Sequence, residues 1–119
     1  MYSFIVNPNA SGGRGERIWR RLEKQLKHLG VPYEAFVTEK TGDARRLACD
    51  LTEHQREPRI LIAVGGDGTV SEVLDGISFC GPVTLGYIPT GSGNDLARSL
   101  RLPKSPSRCL KKILNPKYH

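Results

Sequence analysis

Residues 60–69 of this 119-residue chain decide its fold, and they read Ile-Leu-Ile-Ala-Val-Gly-Gly-Asp-Gly-Thr. The first five are apolar without alternation, which is typical of a parallel strand that is buried on both faces. The glycines interrupt the strand, and Val70, Val73 and Ile77 then recur at helical spacing. This stretch therefore predicts a strand in the middle of a sheet, a glycine-rich turn and a helix.

The same alternation of strand, small-residue loop and helix occurs on either side of this stretch. Hydrophobic periodicity predicts strands over 2–6, 33–37, 59–64 and 83–88, and helices over 14–29, 44–51, 70–77 and 107–114. A further short helix is predicted to open at Asn94. Strands that alternate with helices imply right-handed crossovers, so the predicted fold is a three-layer α/β/α sandwich with a mainly parallel, Rossmann-like sheet.

Composition excludes several classes of protein. A hydrophobic fraction of 38% in 119 residues is enough for one domain with a core and argues against a disordered chain. No apolar run approaches the ~18 residues of a membrane span, and the N-terminus does not resemble a signal peptide. We therefore expect a cytoplasmic protein whose three cysteines are reduced.

The net charge of +6 lies entirely in the last part of the chain. Residues 1–95 contain 11 of the 18 Lys and Arg and all 12 acids, whereas residues 96–119 contain seven basic residues and no acid. A solvated face is the commoner explanation of such a segment, and contact with an anionic membrane or a nucleic acid is the alternative. Six more basic residues are expected to form the solvated face of the first predicted helix: Arg14, Arg17, Arg20, Arg21, Lys24 and Lys27. Trp19, on the same helix, is expected to pack beneath a neighbour.

The loops that follow the four strands predict a phosphate site. Ligands of parallel α/β sheets bind outside the carboxyl ends of the strands, where the loops 7–13, 38–43, 65–69 and 89–95 converge. Three of these loops are rich in glycine, which lets several backbone N–H groups point at one anion. The pattern is neither GxGxxG nor a Walker A motif, so a standard dinucleotide site or P-loop is not expected.

Two acids near the third loop have alternative interpretations. The carboxylate of Asp67 would repel phosphate unless a cation or a donor hydroxyl stands between them, which favours Mg²⁺ or a catalytic hydrogen bond. The alternative is that Asp67 caps its own turn. Thr69 and Glu72 have the spacing of a capping box, and Ser92, Asn94 and Asp95 are common turn and N-cap residues.

Four motifs together resemble the diacylglycerol kinase catalytic domain family, which includes bacterial lipid kinases, sphingosine kinases and ceramide kinase. They are Asn7-Pro8, the residues 38–44 (Thr-Glu-Lys-Thr-Gly-Asp-Ala), the residues 65–69 with Glu72, and the residues 89–98 (Pro-Thr-Gly-Ser-Gly-Asn-Asp-Leu-Ala-Arg). The resemblance covers essentially the whole chain. Gly-Gly-Asp-Gly-Thr alone also fits NAD kinase, a relative in the same superfamily, whereas the last motif resembles the lipid branch.

The resemblance implies an ATP-binding domain in which Asp67 is catalytic and lies next to the transferred phosphate. It implies ATP and Mg²⁺ as cofactors, with Mg²⁺ arriving on ATP and Asp67 a candidate to help place it. The nucleotide-binding residues that it implies are Asn7, Pro8, Asn9, Ala10, Ser11, Gly12, Thr38, Gly65, Gly66, Asp67, Gly68, Thr69, Val70, Ser71, Glu72, Ser92, Asn94 and Asp95. Ser71 and Ser92 stand where the family often has Asn and Thr, which should tune affinity rather than abolish binding.

The resemblance also implies a second, mainly β domain, which holds the lipid pocket, the general base and structural metal ligands. Residues 1–119 are therefore expected to be the N-terminal ATP-binding domain of a lipid kinase, inactive on lipid alone. The expected partners are ATP, a lipid bound through the second domain and an anionic membrane surface at which the protein is peripheral. No nucleic acid is expected, and exposed apolar surface would allow a homo-oligomer.

Two other functions fit the motifs less completely. One is an NAD kinase-like phosphotransferase domain, and the other is a nucleotide-binding module without catalytic activity.

Overall fold

The computed structural model describes residues 2–53, 59–77, 83–91 and 105–114. Its strands and helices alternate along the chain in the order β1 (Tyr2–Val6), α1 (Arg14–Leu29), β2 (Tyr33–Val37), α2 (Asp43–Thr52), β3 (Arg59–Gly65), α3 (Asp67–Gly76), β4 (Val83–Pro89) and α4 (Pro106–Leu114). The predicted helix at Asn94 lies outside the described residues. In those ranges, none of the helices has the length and hydropathy needed to cross a bilayer.

The four strands form one sheet in the order β2-β1-β3-β4, and every neighbouring pair is parallel. Val6 of β1 is in register with Val37 of β2 on one side and with Val64 of β3 on the other. Since β3 lies between β1 and β4, the strand over residues 60–64 is in the middle of the sheet as predicted. The chain builds outward from β1 to β2, then crosses back to β3, so the direction of winding changes between β1 and β3.

Side chains of successive residues on the central strands supply two separate apolar layers. Phe4 and Val6 pack with α1 and α4 on one side of the sheet, whereas Ile5 packs with α2 and α3 on the other. Trp19 of α1 is buried with its ring centroid 5.1 Å from that of Phe4 and 6.0 Å from that of Tyr33, as predicted for a packing residue. The predicted three-layer α/β/α sandwich is confirmed.

A close approach of backbone fixes the start of α1 against the loop that precedes it. Gly15 lies in the first turn of α1, and a Cβ atom at this position would overlap with the main-chain oxygen of Asn7. The N–H of Gly15 donates to the carbonyl of Ala10 at 3.1 Å, and that of Glu16 donates to the carbonyl of Pro8 at 3.0 Å. Only glycine allows the loop and the helix to share this space.

One helix boundary differs from the prediction by more than one residue. The helical spacing of apolar residues predicted a start at Val70, but α3 begins at Asp67. Gly66 is extended, with φ −94° and ψ −173°, and serves as the N-cap residue. Periodicity could not reveal the first turn because Asp67, Gly68 and Thr69 have no large apolar side chain, although an acid in the first turn favours the helix dipole.

The basic residues of α1 are exposed to solvent as predicted, and the histidines and cysteines that the structure describes lie as follows. All six basic residues of α1 are exposed, as is His28, whereas His54 and His119 lie outside the described residues. Within the described ranges, Cys49 and Cys109 form no disulfide; Cys49 is exposed and Cys109 is buried, and burial raises the pKa of the Cys109 thiol. Cys80 lies outside the described residues.

Candidate active-site cleft

The loops predicted to bind a ligand meet at the carboxyl edge of the sheet. The β1 loop (residues 7–13) joins β1 to α1, and the β2 loop (residues 38–42) joins β2 to α2. Gly66 connects β3 to α3 at the end of the next strand in the sheet, and Thr90 directly follows β4. The cleft lies where the direction of winding changes, between β1 and β3, which is where open α/β sheets bind ligands.

Asn7 connects the β1 loop to both neighbouring elements. Its backbone N–H donates to the carbonyl of Val64 on β3 at 2.9 Å, and its Nδ2 donates to Oγ1 of Thr69 on α3 at 3.3 Å. Its Oδ1 accepts the N–H of Asn9 at 3.1 Å. The backbone and side chain of this one residue therefore fix the start of the loop, the end of β3 and the first turn of α3 relative to one another.

The middle of the β1 loop is a left-handed stretch over residues 11–13. The φ angles of Ser11, Gly12 and Gly13 are 56°, 66° and 92°. Within the part of the chain that the structure describes, the N–H groups of Ser11 and Gly12 donate to no other group. Backbone turns of this kind, with unused N–H groups, form concave sites for anions. The hydroxyl of Ser11 lies 3.2 Å from that of Thr90, which joins this stretch to the end of β4.

Asp67 bonds to a residue that sequence analysis did not identify. Its Oδ1 accepts a hydrogen bond of 3.0 Å from the hydroxyl of Tyr87 on β4, and Tyr87 is only 6% exposed. Asp67 is thus the first residue of α3, and the Tyr87 side chain of β4 holds its carboxylate in place. The available signal was a tyrosine in an otherwise apolar buried strand, because a buried phenol needs a hydrogen-bond partner.

The capping-box interpretation of Thr69 and Glu72 is wrong. Thr69 is inside α3 rather than at its N-cap, which is Gly66. Oε1 of Glu72 accepts the backbone N–H of Gly42 at 2.8 Å, 30 residues away in sequence. The carboxylate therefore stabilises the β2 loop instead of its own helix, because α2 and α3 pack side by side on the same face of the sheet.

Asp43, which was not among the predicted site residues, holds the same loop from its other end. Its Oδ2 accepts the backbone N–H of Glu39 at 2.8 Å and that of Lys40 at 3.0 Å. These two hydrogen bonds, Glu39 first, lower the pKa of the Asp43 carboxyl against the opposing effect of burial, and nearby Arg46 and Lys40 lower it further. An Asp after a glycine at the start of a helix was the signal, since Asp commonly bonds local backbone in turns.

A polar pocket of about 250 Å³ lies between the β1 loop, the β2 loop and α3. It is lined by Asn7, Asn9, Thr38, Glu39, Lys40, Thr41, Ala44, Thr69 and Glu72. Five of these nine were predicted site residues, and the other four belong to the motif at residues 38–44. The lining contains two acids and one lysine, so the pocket itself is not a strongly positive site.

The other predicted site residues that the structure describes lie outside the lining of this pocket. Pro8, Ala10, Ser11 and Gly12 lie in the β1 loop, Gly65 ends β3, and Gly68 and Ser71 are exposed on α3. Val70 is 2% exposed and packs in the apolar layer under α3. Ser92, Asn94 and Asp95 lie outside the described residues. Across the described ranges, no three His, Cys, Asp or Glu side chains are grouped to hold a metal ion.

A three-layer sandwich with a cleft at the change of winding is an α/β protein built to bind a ligand at the edge of its sheet. The family model for the diacylglycerol kinase catalytic domain matches residues 1–119, and the chain belongs to this family. The predicted family resemblance is therefore confirmed.

Individual relatives agree with the family match. A Staphylococcus saprophyticus protein named diacylglycerol kinase is 38% identical over 100 residues, which are 83% of this chain and 32% of that protein. One of the same name from Bacillus subtilis is 33% identical over 101 residues, 84% of this chain and 33% of that protein. A diacylglycerol kinase crystal structure from Bacillus anthracis superposes with a TM-score of 0.74 at 30% identity, covering 94% of this chain and 38% of its own. The chain spans about a third of the length of these relatives.

Proposed function

We propose that this chain is the ATP-binding part of a lipid kinase, which transfers the γ-phosphoryl group of ATP to a lipid hydroxyl. Its membership of the diacylglycerol kinase catalytic domain family supports a kinase of the lipid branch. The observation that carries the proposal is the left-handed stretch over residues 11–13, which leaves two N–H donors unused beside the cleft. Donors of this kind are suited to the oxygens of a phosphate chain.

The donor set fits the triphosphate. Residues 7–13 contain no acid, and α3 begins across the cleft with the positive end of its dipole. Among the described residues, the N–H of Gly68 in the first turn of α3 also has no hydrogen-bond partner. We therefore assign the phosphates to the space between the left-handed stretch and the start of α3.

The distribution of charge orients the rest of the nucleotide. Glu39 and Glu72 line the pocket, and they would repel phosphate more than Lys40 attracts it. The neutral polar groups beside them, Asn7 and Thr38, suit the hydroxyl and nitrogen atoms of a nucleoside. Hence the 250 Å³ pocket is assigned to the nucleoside and the glycine-rich backbone to the phosphates.

Asp67 is assigned the role of placing the Mg²⁺ that accompanies ATP, or the acceptor hydroxyl. The metal ion would neutralise charge that develops on the transferred phosphoryl group. Asp67 begins α3 beside the proposed phosphate site, and the Tyr87 hydroxyl restrains its carboxylate. Phosphoryl transfer depends mainly on such positioning and charge stabilisation.

The acceptor site belongs, in this proposal, to a second domain. The relatives are more than twice as long as this chain, which leaves room for a lipid-binding domain beyond the part that matches. An ATP-binding domain alone leaves its cleft open to water, so its residual activity should be ATP hydrolysis or none. Phosphorylation of a lipid by residues 1–119 alone would contradict this division of labour.

Calorimetric titration with ATP, ADP and NAD, each with and without Mg²⁺, tests the proposal. ATP and ADP should bind and NAD should not, and Asp67→Ala should weaken the Mg²⁺-dependent part of ATP binding about tenfold. The matched control is Asp75→Ala, which removes the same charge from an exposed position on the same helix. Tight NAD binding would favour an NAD kinase-like enzyme, and a folded chain that binds none of these ligands would contradict the proposal.

A further inference from the structure

The two helical layers of the sandwich differ strongly in charge. Helices α1 and α4, on one side of the sheet, contain nine Lys and Arg against two acids, a formal charge of +7. Helices α2 and α3, on the other side, contain two arginines against five acids, a formal charge of −3. The net positive charge of the described helices therefore lies on one face of the molecule.

The basic side chains of α1 lie on the stripe opposite its buried residues. Leu22 and Leu26 pack on the sheet, whereas Arg17, Arg21 and Lys24 are exposed at spacings of four and three residues. Such spacing aligns side chains along one side of a helix. The stripe therefore runs along the outer crest of α1.

Helix α4 shows the same arrangement and lies next to α1. Cys109 and Leu110 are buried, and the exposed basic residues are Arg108, Lys111 and Lys112. The hydroxyl of Ser107 donates to Oε1 of Gln25 on α1 at 2.8 Å, which joins the two helices. The two stripes therefore form one continuous surface, which we call the basic face: Arg17, Arg21, Lys24, Arg108, Lys111 and Lys112.

Few acids neutralise this surface. Over the described parts of the chain, Arg17, Arg21, Lys24, Arg108 and Lys111 have no carboxylate within ion-pair distance. By contrast, Arg46 of the opposite layer lies 3.7 Å from both Asp43 and Asp50. Unpaired charges of one sign on one surface produce a field that attracts an extended anionic partner.

We propose that the basic face docks the protein on an anionic lipid surface. The proposal rests on the proposed function, because the acceptor of a lipid kinase resides in a membrane. Burial of the aromatic side chain beneath this face favours lipid over single-stranded nucleic acid, since Trp19 offers no exposed ring for base stacking. Because α1 starts at the carboxyl edge of the sheet, docking through Arg17 in its first turn places the cleft beside the membrane.

Vesicle sedimentation measures this docking directly. The chain should bind vesicles of equal parts phosphatidylglycerol and phosphatidylcholine at low salt, lose binding as salt is added, and ignore pure phosphatidylcholine. Arg17→Gln/Lys24→Gln should weaken binding about 25-fold, from about fivefold for each basic residue. Arg45→Gln/Arg46→Gln removes the same net charge from the opposite layer and should change binding less than about twofold.

Three results would overturn the docking face. They are equal losses in the two double variants, no binding to the anionic vesicles at low salt, or tighter binding to duplex DNA or RNA than to the vesicles. Circular dichroism shows whether each variant is folded. ATP titration separates this proposal from the proposed function. Normal ATP affinity together with lost vesicle binding in Arg17→Gln/Lys24→Gln supports both. If the unaltered chain binds vesicles but not ATP, only the proposed function is contradicted.

Discussion

The β1 loop and the β2 loop lie side by side at the same edge of the sheet, yet they use their backbone N–H groups in opposite ways. In the β2 loop, the N–H groups of Glu39 and Lys40 go to Asp43, and that of Gly42 goes to Glu72. In the β1 loop, the N–H groups of Ser11 and Gly12 have no partner among the described residues. The protein's own carboxylates stabilise the β2 loop, whereas the β1 loop leaves two donors that we propose bind an outside anion.

This difference separates the structural β2 loop from the β1 loop, which we propose binds phosphate. Both loops contain glycine in the left-handed region, at Gly42 in one and at Gly12 and Gly13 in the other. Glycine content alone therefore does not identify the phosphate site. The decisive property is whether the protein already satisfies the donors that the glycines expose.

The largest effect is expected from Gly15→Ala, which breaks the contact that shapes the β1 loop. Its new methyl group would overlap with the main-chain oxygen of Asn7, which cannot move without disturbing β1. We expect a loss of about 2–3 kcal/mol in the free energy of unfolding, measured by urea denaturation, and loss of ATP binding in the folded fraction. A loss below about 0.5 kcal/mol would show that the loop adapts freely.

The next effect concerns acid, because Asp43 holds the β2 loop only while its carboxyl group is ionised. Its pKa is lower in the folded chain than in the unfolded chain, so its stabilising effect is complete above the unfolded pKa and is lost as pH falls through the folded pKa. The urea midpoint should fall as pH drops below about 4. Asp43→Asn should lower the midpoint at pH 7 and flatten this acid dependence, and an unchanged acid limb would contradict the assignment.

A smaller effect is expected where Glu72 accepts the N–H of Gly42. Glu72→Ala should cost about 1 kcal/mol and speed hydrogen exchange at the Gly42 amide, whereas Glu72→Gln retains an acceptor oxygen and should preserve most of the protection. Nuclear magnetic resonance reports exchange at this single amide. Equal exchange in both variants and the unaltered chain would show that the carboxylate does not hold the loop.

The smallest effect is expected from Ser11→Ala, which removes the contact between the hydroxyls of Ser11 and Thr90. Because Ser11 is exposed, stability should fall by about 0.5 kcal/mol or less. ATP affinity should fall more than in Ser107→Ala, a control that removes an exposed hydroxyl on α4, away from the cleft, because the left-handed stretch loses its support from Thr90. Equal affinities in the two variants would leave that hydroxyl contact without a role in binding.

Local patterns predicted all eight strands and helices that the structure describes, and the reasons are physical. The buried run at residues 60–64 and the periodic residues of α1 leave little choice of structure, and both elements appear where the sequence placed them. The start of α3 was misplaced because its first turn has no large apolar side chain. Helical and strand periods report burial, so they fail where an element begins with small or polar residues.

The site was predicted in its loops but not in its connections. The pairs Tyr87 with Asp67 and Glu72 with Gly42 join residues 20 and 30 positions apart, and they depend on how strands and helices pack. Spacing within one element cannot reveal such contacts, and a local rule even assigned Glu72 to the wrong partner. The contacts that hold the cleft together were therefore visible only in the structure, although Asp67 and Glu72 were themselves predicted site residues.

The central claim is that the unused N–H groups of the β1 loop and of the start of α3 receive the phosphates of ATP. Amide chemical shifts followed during titration with ATP and Mg²⁺ test it most directly. The largest shifts should occur at Ser11, Gly12 and Gly68, with smaller ones at the satisfied amides of Glu39, Lys40 and Gly42. Larger shifts in the β2 loop than in the β1 loop, or no shift at Ser11 and Gly12 on saturation, would contradict the account.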